Sequence, residues 1–329
     1  DTFYENIEQV KPGSYIKYAN NINISFQYYW LPKSTIDQNL TYQDAVEKTK
    51  ETLIKAVKLR MRSDVPLAFC MSGGVDSNSL IAIASKILKC DVHGFTVVNQ
   101  DERYEEKKLV ELAVENLGIK QTNIKVSKKD FLSNLKILIN SHNSPVSVIS
   151  YYVHWQLLNE IAKRGYKVTI SGTGADELFT GYYDHHNLYL GELYGQDELF
   201  HKSYIAWENH LKPIVRNPYL KNPNLYIEDK LFRKHIYLNN DIFSTFFYNN
   251  WNEPFHEKDY GASLLRNRML NELCEETVPV ILHEDDLNAM QFSMENRSPF
   301  LDRGLFELAY SIPTKHLIKK GYAKSVLRD

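Results

Sequence analysis

The stretch that decides the fold is a short glycine loop between two apolar segments. It reads Phe69-Cys70-Met71-Ser72-Gly73-Gly74-Val75-Asp76-Ser77. The apolar run at 65–71 predicts a buried strand that ends at the loop, and the apolar run at 77–88 predicts a helix that starts from it. A strand, a glycine turn and a helix in this order are typical of a parallel α/β crossover.

The loop carries residue types that suit a bound phosphate. Its glycines let the backbone approach a ligand closely, and the start of a helix presents backbone N–H groups that lack a helical partner. Ser72 and Ser77 add hydroxyl groups. Asp76 by itself would repel a phosphate, so its presence indicates a Mg²⁺ ion between the carboxylate and the phosphate oxygens.

Three other loop motifs are absent from the sequence. The chain contains no Gly-Lys pair, no Gly-x-Gly-x-x-Gly and no Gly-x-Ser-x-Gly around Ser72. This excludes a Walker phosphate loop, a dinucleotide-binding fingerprint and the nucleophile elbow of an esterase.

Strands and helices alternate on the C-terminal side of the loop. The sequence predicts further strands at 92–98, 119–126 and 167–171, and helices at 103–117, 131–141 and 151–163. This alternation predicts an α/β fold, a parallel twisted sheet with helices on both faces. Before it, two short strands are expected within 14–30, and a helix from Thr41, with Thr41 and Asp44 at its N-terminal cap. After about residue 183 the chain reads as mainly helical.

Composition excludes several classes of protein. The 329 residues have a net charge of −2, which argues against binding nucleic acid through bulk positive charge. No apolar run is long enough for a membrane span, and three cysteines cannot form a disulfide framework. A cytoplasmic protein of about two domains is therefore expected, with neither a membrane nor a nucleic acid as its partner.

The glycine loop resembles the pyrophosphate-binding loop of the N-type ATP pyrophosphatases. The resemblance implies a fold like that of the adenine nucleotide alpha hydrolases, and ATP cleaved into AMP and pyrophosphate. This superfamily includes GMP, NAD and asparagine synthetases and tRNA-modifying enzymes, among which the loop alone does not choose.

A second loop narrows the choice. Residues 171–182 read Ser-Gly-Thr-Gly-Ala-Asp-Glu-Leu-Phe-Thr-Gly-Tyr, which resembles the second signature of the asparagine synthetases. Two later segments are similar to further motifs of that class, Glu-Asn-Arg-Ser-Pro-Phe-Leu-Asp at 295–302 and Lys-Ser-Val-Leu-Arg at 324–328. Four motifs in the family's order, spread over residues 72–328, are far more specific than any one of them.

This resemblance implies roles for individual residues, with ATP and Mg²⁺ as cofactors. Lys324 would stabilise the charge that develops at the α-phosphate, while Asp76 and Asp176 would bind Mg²⁺. Thr173 would belong to the catalytic group with Lys324 and Asp176, by its position. The ATP- and pyrophosphate-binding residues would be Met71, Ser72, Gly73, Gly74, Asp76, Ser77, Val97, Ser171 and Gly172. Arg297 and Asp302 are interpreted as a structural ion pair or cap.

The implied reaction is ATP-dependent amide formation. A carboxylate, aspartate or a related acid, would be adenylated and then converted into an amide by ammonia from glutamine. The first residues, Asp1 to Tyr15, resemble the last strands of the glutaminase domain that supplies this ammonia, although position 1 is not the nucleophilic cysteine of such a domain. The predicted organisation is thus a β segment at 1–35, an ATP-pyrophosphatase domain at 36–185 and a mainly helical part at 186–329. The numbered sequence is expected to be a fragment, with the glutaminase fused upstream or separate, and a homodimer is one option for its assembly.

One departure from the family pattern leaves the substrate open. Asparagine synthetases carry Glu where this chain has Thr173, and a threonine cannot act as a base at neutral pH. Amidation of a sugar carboxylate for a surface polysaccharide, or closure of an internal β-lactam or peptide amide, therefore stand beside aspartate amidation. A tRNA-modifying enzyme and a non-catalytic binding scaffold are the more distant alternatives. For His185 and His186, contact with a polar substrate is favoured over metal binding.

Overall fold

The computed structural model describes residues 2–18, 25–98, 106–236, 240–248 and 255–329. The chain forms two compact units that interleave along the sequence. The sheet unit comprises Asp1–Lys33, Met61–Ser171 and Val278–Arg297, and the helical unit comprises Ser34–Arg60, Gly172–Thr277 and Ser298–Asp329. The predicted organisation into three consecutive segments stays a prediction, and its first residue, Asp1, lies outside the described residues.

A parallel five-stranded sheet forms the centre of the sheet unit. Its strand order is β5-β4-β3-β6-β7, and every neighbouring pair runs parallel. The strands are β3 (Leu67–Cys70), β4 (His93–Val98), β5 (Lys120–Lys125), β6 (Val168–Ile170) and β7 (Glu295–Arg297). The helices of this unit are α2 (Val75–Ala82), α3 (Lys107–Leu117), α4 (Phe131–His142), α5 (Ile149–Ala162) and α12 (Thr277–Met290). The predicted parallel α/β architecture is confirmed.

Apolar residues of the strands, of two helices and of the turn before β7 make the core beside this sheet. They are Ala68, Phe95, Ile124, Leu157, Leu158, Ile161, Ala289 and Met294. The helical spacing of the three α5 residues turns one face of that helix to the strands. This packing fixes β3 and β4, the strands that lead into the predicted nucleotide-binding residues.

Two local features differ from the sequence-based expectations. The helix predicted to run to residue 88 continues past α2 as a π-helical segment, Ile83–Ile87. Strand β7 was not predicted, because Glu-Asn-Arg has no apolar run to indicate a strand and its pairing with β6 is long-range. The start of the helix predicted from residue 103 lies outside the described residues, and α3 is described from Lys107 to its end before Gly118, whose φ is 62°.

A two-stranded antiparallel hairpin lies near the start of the chain. Its strands are β1 (Ser14–Lys17) and β2 (Ser25–Tyr28), with Ser14 opposite Tyr28. Gly13 has a φ of +68°, and a Cβ there would overlap the carbonyl oxygen of Trp30. The two predicted N-terminal strands are thus present.

The helical unit contains α1 (Tyr42–Arg60) and a series of shorter helices. These are α6 (Ala175–Phe179), α7 (Tyr183–Leu193), α8 (Asp197–His210), α9 (Asn224–Glu228), α10 (Asn240–Ser244), α11 (Leu264–Cys274), α13 (Arg303–Ala309) and α14 (Ser325–Arg328). The predicted cap of α1 forms as expected: the Thr41 hydroxyl accepts from the Asp44 N–H at 3.2 Å and donates to the Asp44 carboxylate at 2.6 Å. No helix within the described parts of the chain is both long and apolar enough to cross a membrane.

Candidate functional site

The loop after β3 is held in shape by its own side chains. The Ser77 hydroxyl accepts a hydrogen bond from the Ser72 N–H at 3.1 Å, and the Ser72 hydroxyl accepts one from the Gly74 N–H at 3.1 Å. The Asn78 amide donates to the carbonyls of Ser72 (3.1 Å) and Gly74 (2.8 Å). The hydroxyls of the two serines therefore accept hydrogen bonds from the loop backbone. Asn78, which lies in α2 and which sequence reasoning missed, ties the loop to this helix by donating to two loop carbonyls.

The third N–H of the loop has a partner from outside it. The Gly73 N–H donates to the Glu106 carboxylate at 2.7 Å. Sequence reasoning expected the loop N–H groups to be free for a ligand. Glu106 was not predicted, because nothing in the sequence distinguishes it from the neighbouring acidic residues Glu102 and Glu105.

The two residues expected beside adenosine lie on adjoining parts of the sheet unit. Met71 is buried; its N–H donates to the Phe95 carbonyl at 2.9 Å, and a Cβ at Gly94 would lie 2.9 Å from its sulfur. Val97 on β4 is half-buried and lies opposite Ile124 of β5. Asp76 is half-buried in the first turn of α2.

The second loop divides between the two units. Ser171 is the last residue of its segment in the sheet unit, where its N–H donates to the Arg297 carbonyl at 3.0 Å. Gly172 and Thr173 begin the next segment of the helical unit, and Thr173 is half-buried directly before Gly174 and α6. The position of Thr173 is thus described, while its predicted catalytic role stays a prediction.

Glycines shape the second loop around Asp176. Gly174 has a φ of +95°, and a Cβ there would overlap the side chain of Leu301. A Cβ at Gly181 would overlap the Asp176 carboxylate, while the Gly181 N–H donates to the Asp176 carbonyl at 2.9 Å. Both positions require glycine, which explains the second Gly of the Gly-x-Gly and the later Gly of this motif.

Lys324 and Asp176 meet within the helical unit. The Lys324 Nζ lies 2.6 Å from the Asp176 Oδ1, and the lysine side chain is 9% exposed against 35% for the aspartate. The backbone of Lys324 is also anchored, since its N–H donates to the Phe179 carbonyl at 3.0 Å. Two residues from separate motifs, 148 positions apart in sequence, are thereby brought together.

A buried carboxyl stands beside Asp176. Glu177 is 1% exposed and accepts a hydrogen bond from the Tyr182 hydroxyl at 2.6 Å. Burial raises the pKa of Glu177 to about 7, although the bond from Tyr182 acts in the opposite direction. The Tyr310 hydroxyl donates a hydrogen bond to the backbone carbonyl of Glu177 at 3.1 Å. Sequence reasoning did not single out Glu177 and Tyr182 as a pair, although both stand in the quoted motif.

Both histidines of the Tyr-Asp-His-His segment are buried in α7. The His185 Nε2 lies 2.5 Å from the Glu272 carboxylate, and Arg268 lies 3.0 Å from Glu272 and 3.4 Å from Asp184. Asp184, His185 and Glu272 have the residue types of a metal site, but Arg268 already compensates both carboxylates. These side chains therefore form an interior ion-pair network, and the expected contact of His185 and His186 with a substrate is not supported by their burial.

The remaining predicted residues have structural partners. The Asp302 carboxylate caps α13 by accepting from the Gly304 N–H at 2.9 Å, and it lies 3.2 Å from Arg60. Arg297 pairs with Glu295 at 2.9 Å. Burial raises the pKa of the Cys70 thiol to about 12, which disfavours the thiolate that a nucleophilic cysteine needs.

Comparison with known families identifies the chain. The family model for asparagine synthase matches residues 48–329. The chain belongs to the asparagine synthase family. This membership confirms the predicted family.

Three relatives illustrate the range of the match. Asparagine synthetase [glutamine-hydrolyzing] 1 of Bacillus subtilis is 24% identical over 99% of this chain and 53% of its own length. Putative asparagine synthetase 2 of Methanocaldococcus jannaschii is 29% identical over 49% of this chain and 31% of its own length. The amidase chyE of Penicillium rubens is 24% identical over 55% of this chain and 30% of its own length. The chain thus spans about half the length of the Bacillus relative.

Proposed function

We propose that this chain is the synthetase part of an ATP-dependent amide-forming enzyme. A substrate carboxylate attacks the α-phosphate of ATP, which forms an acyl-adenylate and releases pyrophosphate. Ammonia then attacks the acyl carbon, and AMP leaves together with one proton. Family membership and the two glycine loops support this reaction type.

The observation that carries the proposal is the contact between Lys324 and Asp176. A largely buried ammonium group, 2.6 Å from a half-exposed carboxylate at the start of α6, is a fixed positive charge in a motif that is typical of the family. A preorganised cation of this kind stabilises negative charge that develops on phosphate oxygens in a transition state. We assign this role to Lys324 while the pyrophosphate leaves.

The acidic residues fit a Mg²⁺ ion by their chemistry. Asp76 and Asp176 are both half-buried carboxylates, the hard oxygen ligands that Mg²⁺ prefers. The Asp176 carboxylate also carries the contact with Lys324, through its Oδ1. The ion would neutralise charge on the triphosphate, and Ser72, Gly73, Gly74 and Ser77 would hold the phosphates from the loop backbone and hydroxyls. Met71, Val97, Ser171 and Gly172 would contact the nucleoside.

We propose aspartate or a related acid as the carboxylate and a glutaminase as the ammonia source. Thr173 is part of the second loop, and its side chain would contribute to the selection of the substrate acid. Amidation of a sugar carboxylate is the alternative for an intermolecular reaction, and an internal amide cyclase is the alternative that needs no ammonia.

The reaction is tested by incubating the chain with Mg·ATP, ammonium and a panel of acids that includes aspartate and uronic acids. Formation of pyrophosphate and AMP that depends on one acid is expected. Products of ADP and phosphate would overturn the mechanism. Pyrophosphate release from a substrate that carries its own amine, without ammonium, would instead identify a cyclase.

The metal assignment has its own test. Asp76→Asn and Asp176→Asn are each expected to abolish turnover in a chain that still folds, because they remove a ligand charge and keep the shape of the side chain. Asp64→Asn, an exposed position in the sheet unit, is the matched control and should leave turnover unchanged. Retained activity in either of the first two variants would refute the assignment of that residue.

A further inference from the structure

The loop at residues 72–77, called the phosphate loop below, has one N–H group that is hydrogen-bonded to a carboxylate of the protein itself. The Glu106 Oε2 lies 2.7 Å from the Gly73 nitrogen, which is the distance of a charge-assisted hydrogen bond. The N–H groups of Ser72 and Gly74 are bonded to hydroxyls within the loop. Gly73 is therefore the position of the loop at which an anion from elsewhere in the chain is bound.

The position of Glu106 is fixed by packing as well as by this bond. Glu106 directly precedes α3, and its carbonyl accepts from the Val110 N–H at 3.0 Å. A Cβ added to Gly73 would lie 2.9 Å from the Leu109 Cβ and 3.0 Å from the Glu106 Cβ. The first turn of α3 thus packs directly on Gly73, and only a glycine lets it approach so closely.

The chemistry of this contact resembles that of a bound phosphate. A carboxylate oxygen and a phosphate oxygen are both anionic acceptors, and a glycine loop at a helix N-terminus favours either one. Two anions cannot share the same N–H, because each would repel the other as well as compete for the donor. A phosphate at Gly73 must therefore displace the Glu106 carboxylate.

We propose that Glu106 is an internal competitor for the phosphate subsite at Gly73, and that it lowers the affinity of the loop for pyrophosphate. This inference rests on the proposed function, in which pyrophosphate is a product that must leave. While the subsite is empty, the Glu106 carboxylate satisfies the Gly73 N–H. When Mg·pyrophosphate dissociates, the carboxylate returns to the N–H and opposes rebinding.

Two other roles for Glu106 make the opposite prediction. If its carboxylate were a metal ligand, its removal would weaken the binding of Mg·pyrophosphate. If it were only a clamp that keeps the loop ordered, its removal would weaken binding and lower thermal stability. A competitor alone predicts tighter binding after removal.

The test is calorimetric binding of inorganic pyrophosphate in the presence of Mg²⁺ to the unmodified chain and to variants. Glu106→Ala is expected to bind about tenfold more tightly, because the loop no longer has to release a charged acceptor. Glu106→Gln keeps the shape and an uncharged acceptor, so a smaller gain is expected. Glu115→Gln, an exposed position on the same helix, is the matched control and should not change binding.

Each result decides between the proposals. Unchanged or weaker binding in both Glu106 variants, with unmodified chain that binds pyrophosphate, would overturn the inference and leave the proposed function standing. An unmodified chain that binds neither Mg·ATP nor Mg·pyrophosphate would overturn the proposed function itself. If Glu106→Ala fails to fold, the isosteric Glu106→Gln carries the measurement.

Discussion

The two glycine loops read alike in sequence but are supported in different ways. Both combine Ser-Gly with an aspartate at the start of a helix. In the phosphate loop most of the bonds come from near neighbours, Ser72, Ser77 and Asn78, and the bond from the Gly73 N–H to Glu106 spans 33 residues. In the second loop the supports, Leu301, Tyr310 and Lys324, lie more than 100 residues further along the chain. The contacts that support a loop can be predicted from its own sequence when they are local, but not when they come from distant residues.

The difference also predicts how each loop responds to substitution. The phosphate loop is half-buried and bonded by hydroxyls, so the loss of one bond can be replaced by water. The second loop packs glycines against an aspartate and a leucine, where added atoms have nowhere to go. Substitutions at Gly174 or Gly181 of the second loop should therefore have larger effects than substitutions at Gly74 or Ser77 of the phosphate loop.

The largest effect is expected for Gly181→Ala. The new Cβ would overlap the Asp176 carboxylate, so Asp176 must move away from Lys324. Pyrophosphate formation should fall at least as far as in Asp176→Asn, and the free energy of unfolding should drop by about 1–3 kcal/mol. Steady-state kinetics and chemical denaturation measure the two quantities.

The matched substitution in the phosphate loop is Gly74→Ala. Its Cβ would meet only the Ser72 hydroxyl, at 3.2 Å, so the free energy of unfolding should change by less than about 1 kcal/mol. If Gly74→Ala destabilised the chain more than Gly181→Ala, the contrast between the loops would be wrong.

The next effect is that of Lys324→Met on turnover. Removal of a preorganised charge from a reacting phosphate costs about 100- to 1000-fold in kcat. Lys320→Met is a close control, because both lysines have a left-handed backbone, with φ of 57° at Lys324 and 54° at Lys320, while Lys320 is exposed. Equal kcat values for the two variants would remove Lys324 from the proposed mechanism.

The same contrast explains how much could be predicted from the sequence. The phosphate loop, its flanking strand and the parallel fold follow from apolar runs and glycines that are close together in the chain. Strand β7 could not be predicted, because its residues are polar and it forms only by pairing with β6. The family motifs indicate Asp176 and Lys324 as candidate site residues, but they do not predict the contact of 2.6 Å between the two side chains, which the fold creates. Glu106 carries no local signal, because its role depends on how α3 packs on Gly73.

A pH-dependent effect is expected for Glu177→Gln. Burial favours the protonated form and raises the pKa of Glu177 to about 7, against about 4.3 in an unfolded chain. The folded state therefore binds the extra proton between these values, so this contribution to stability is complete below about pH 4.3 and is lost as the pH rises through about 7. The total change is about 4 kcal/mol.

Glutamine keeps the oxygen that accepts from Tyr182 and has no proton to lose. The free energy of unfolding of Glu177→Gln, followed by denaturation at several pH values, should therefore lack this decline between pH 4 and 7, and the variant should be the more stable protein at pH 8. Glu228→Gln, exposed in the same unit, should keep the decline. If the free energies of unfolding of the unmodified chain and of Glu177→Gln depended on pH in the same way, Glu177 would not have the raised pKa.

The smallest effect is expected for Ser77→Ala in the phosphate loop. It removes the acceptor of the Ser72 N–H and should lower the free energy of unfolding by about 1 kcal/mol. Ser79→Ala is the control two residues along the same helix, where the hydroxyl donates only to the Val75 carbonyl at 2.7 Å. Because Ser77 also orders the loop, its loss should raise the KM for ATP, whereas Ser79→Ala should leave the KM unchanged. A KM that rises equally in both variants would mean that the ordering comes from the helix as a whole and that the loop is not self-supporting.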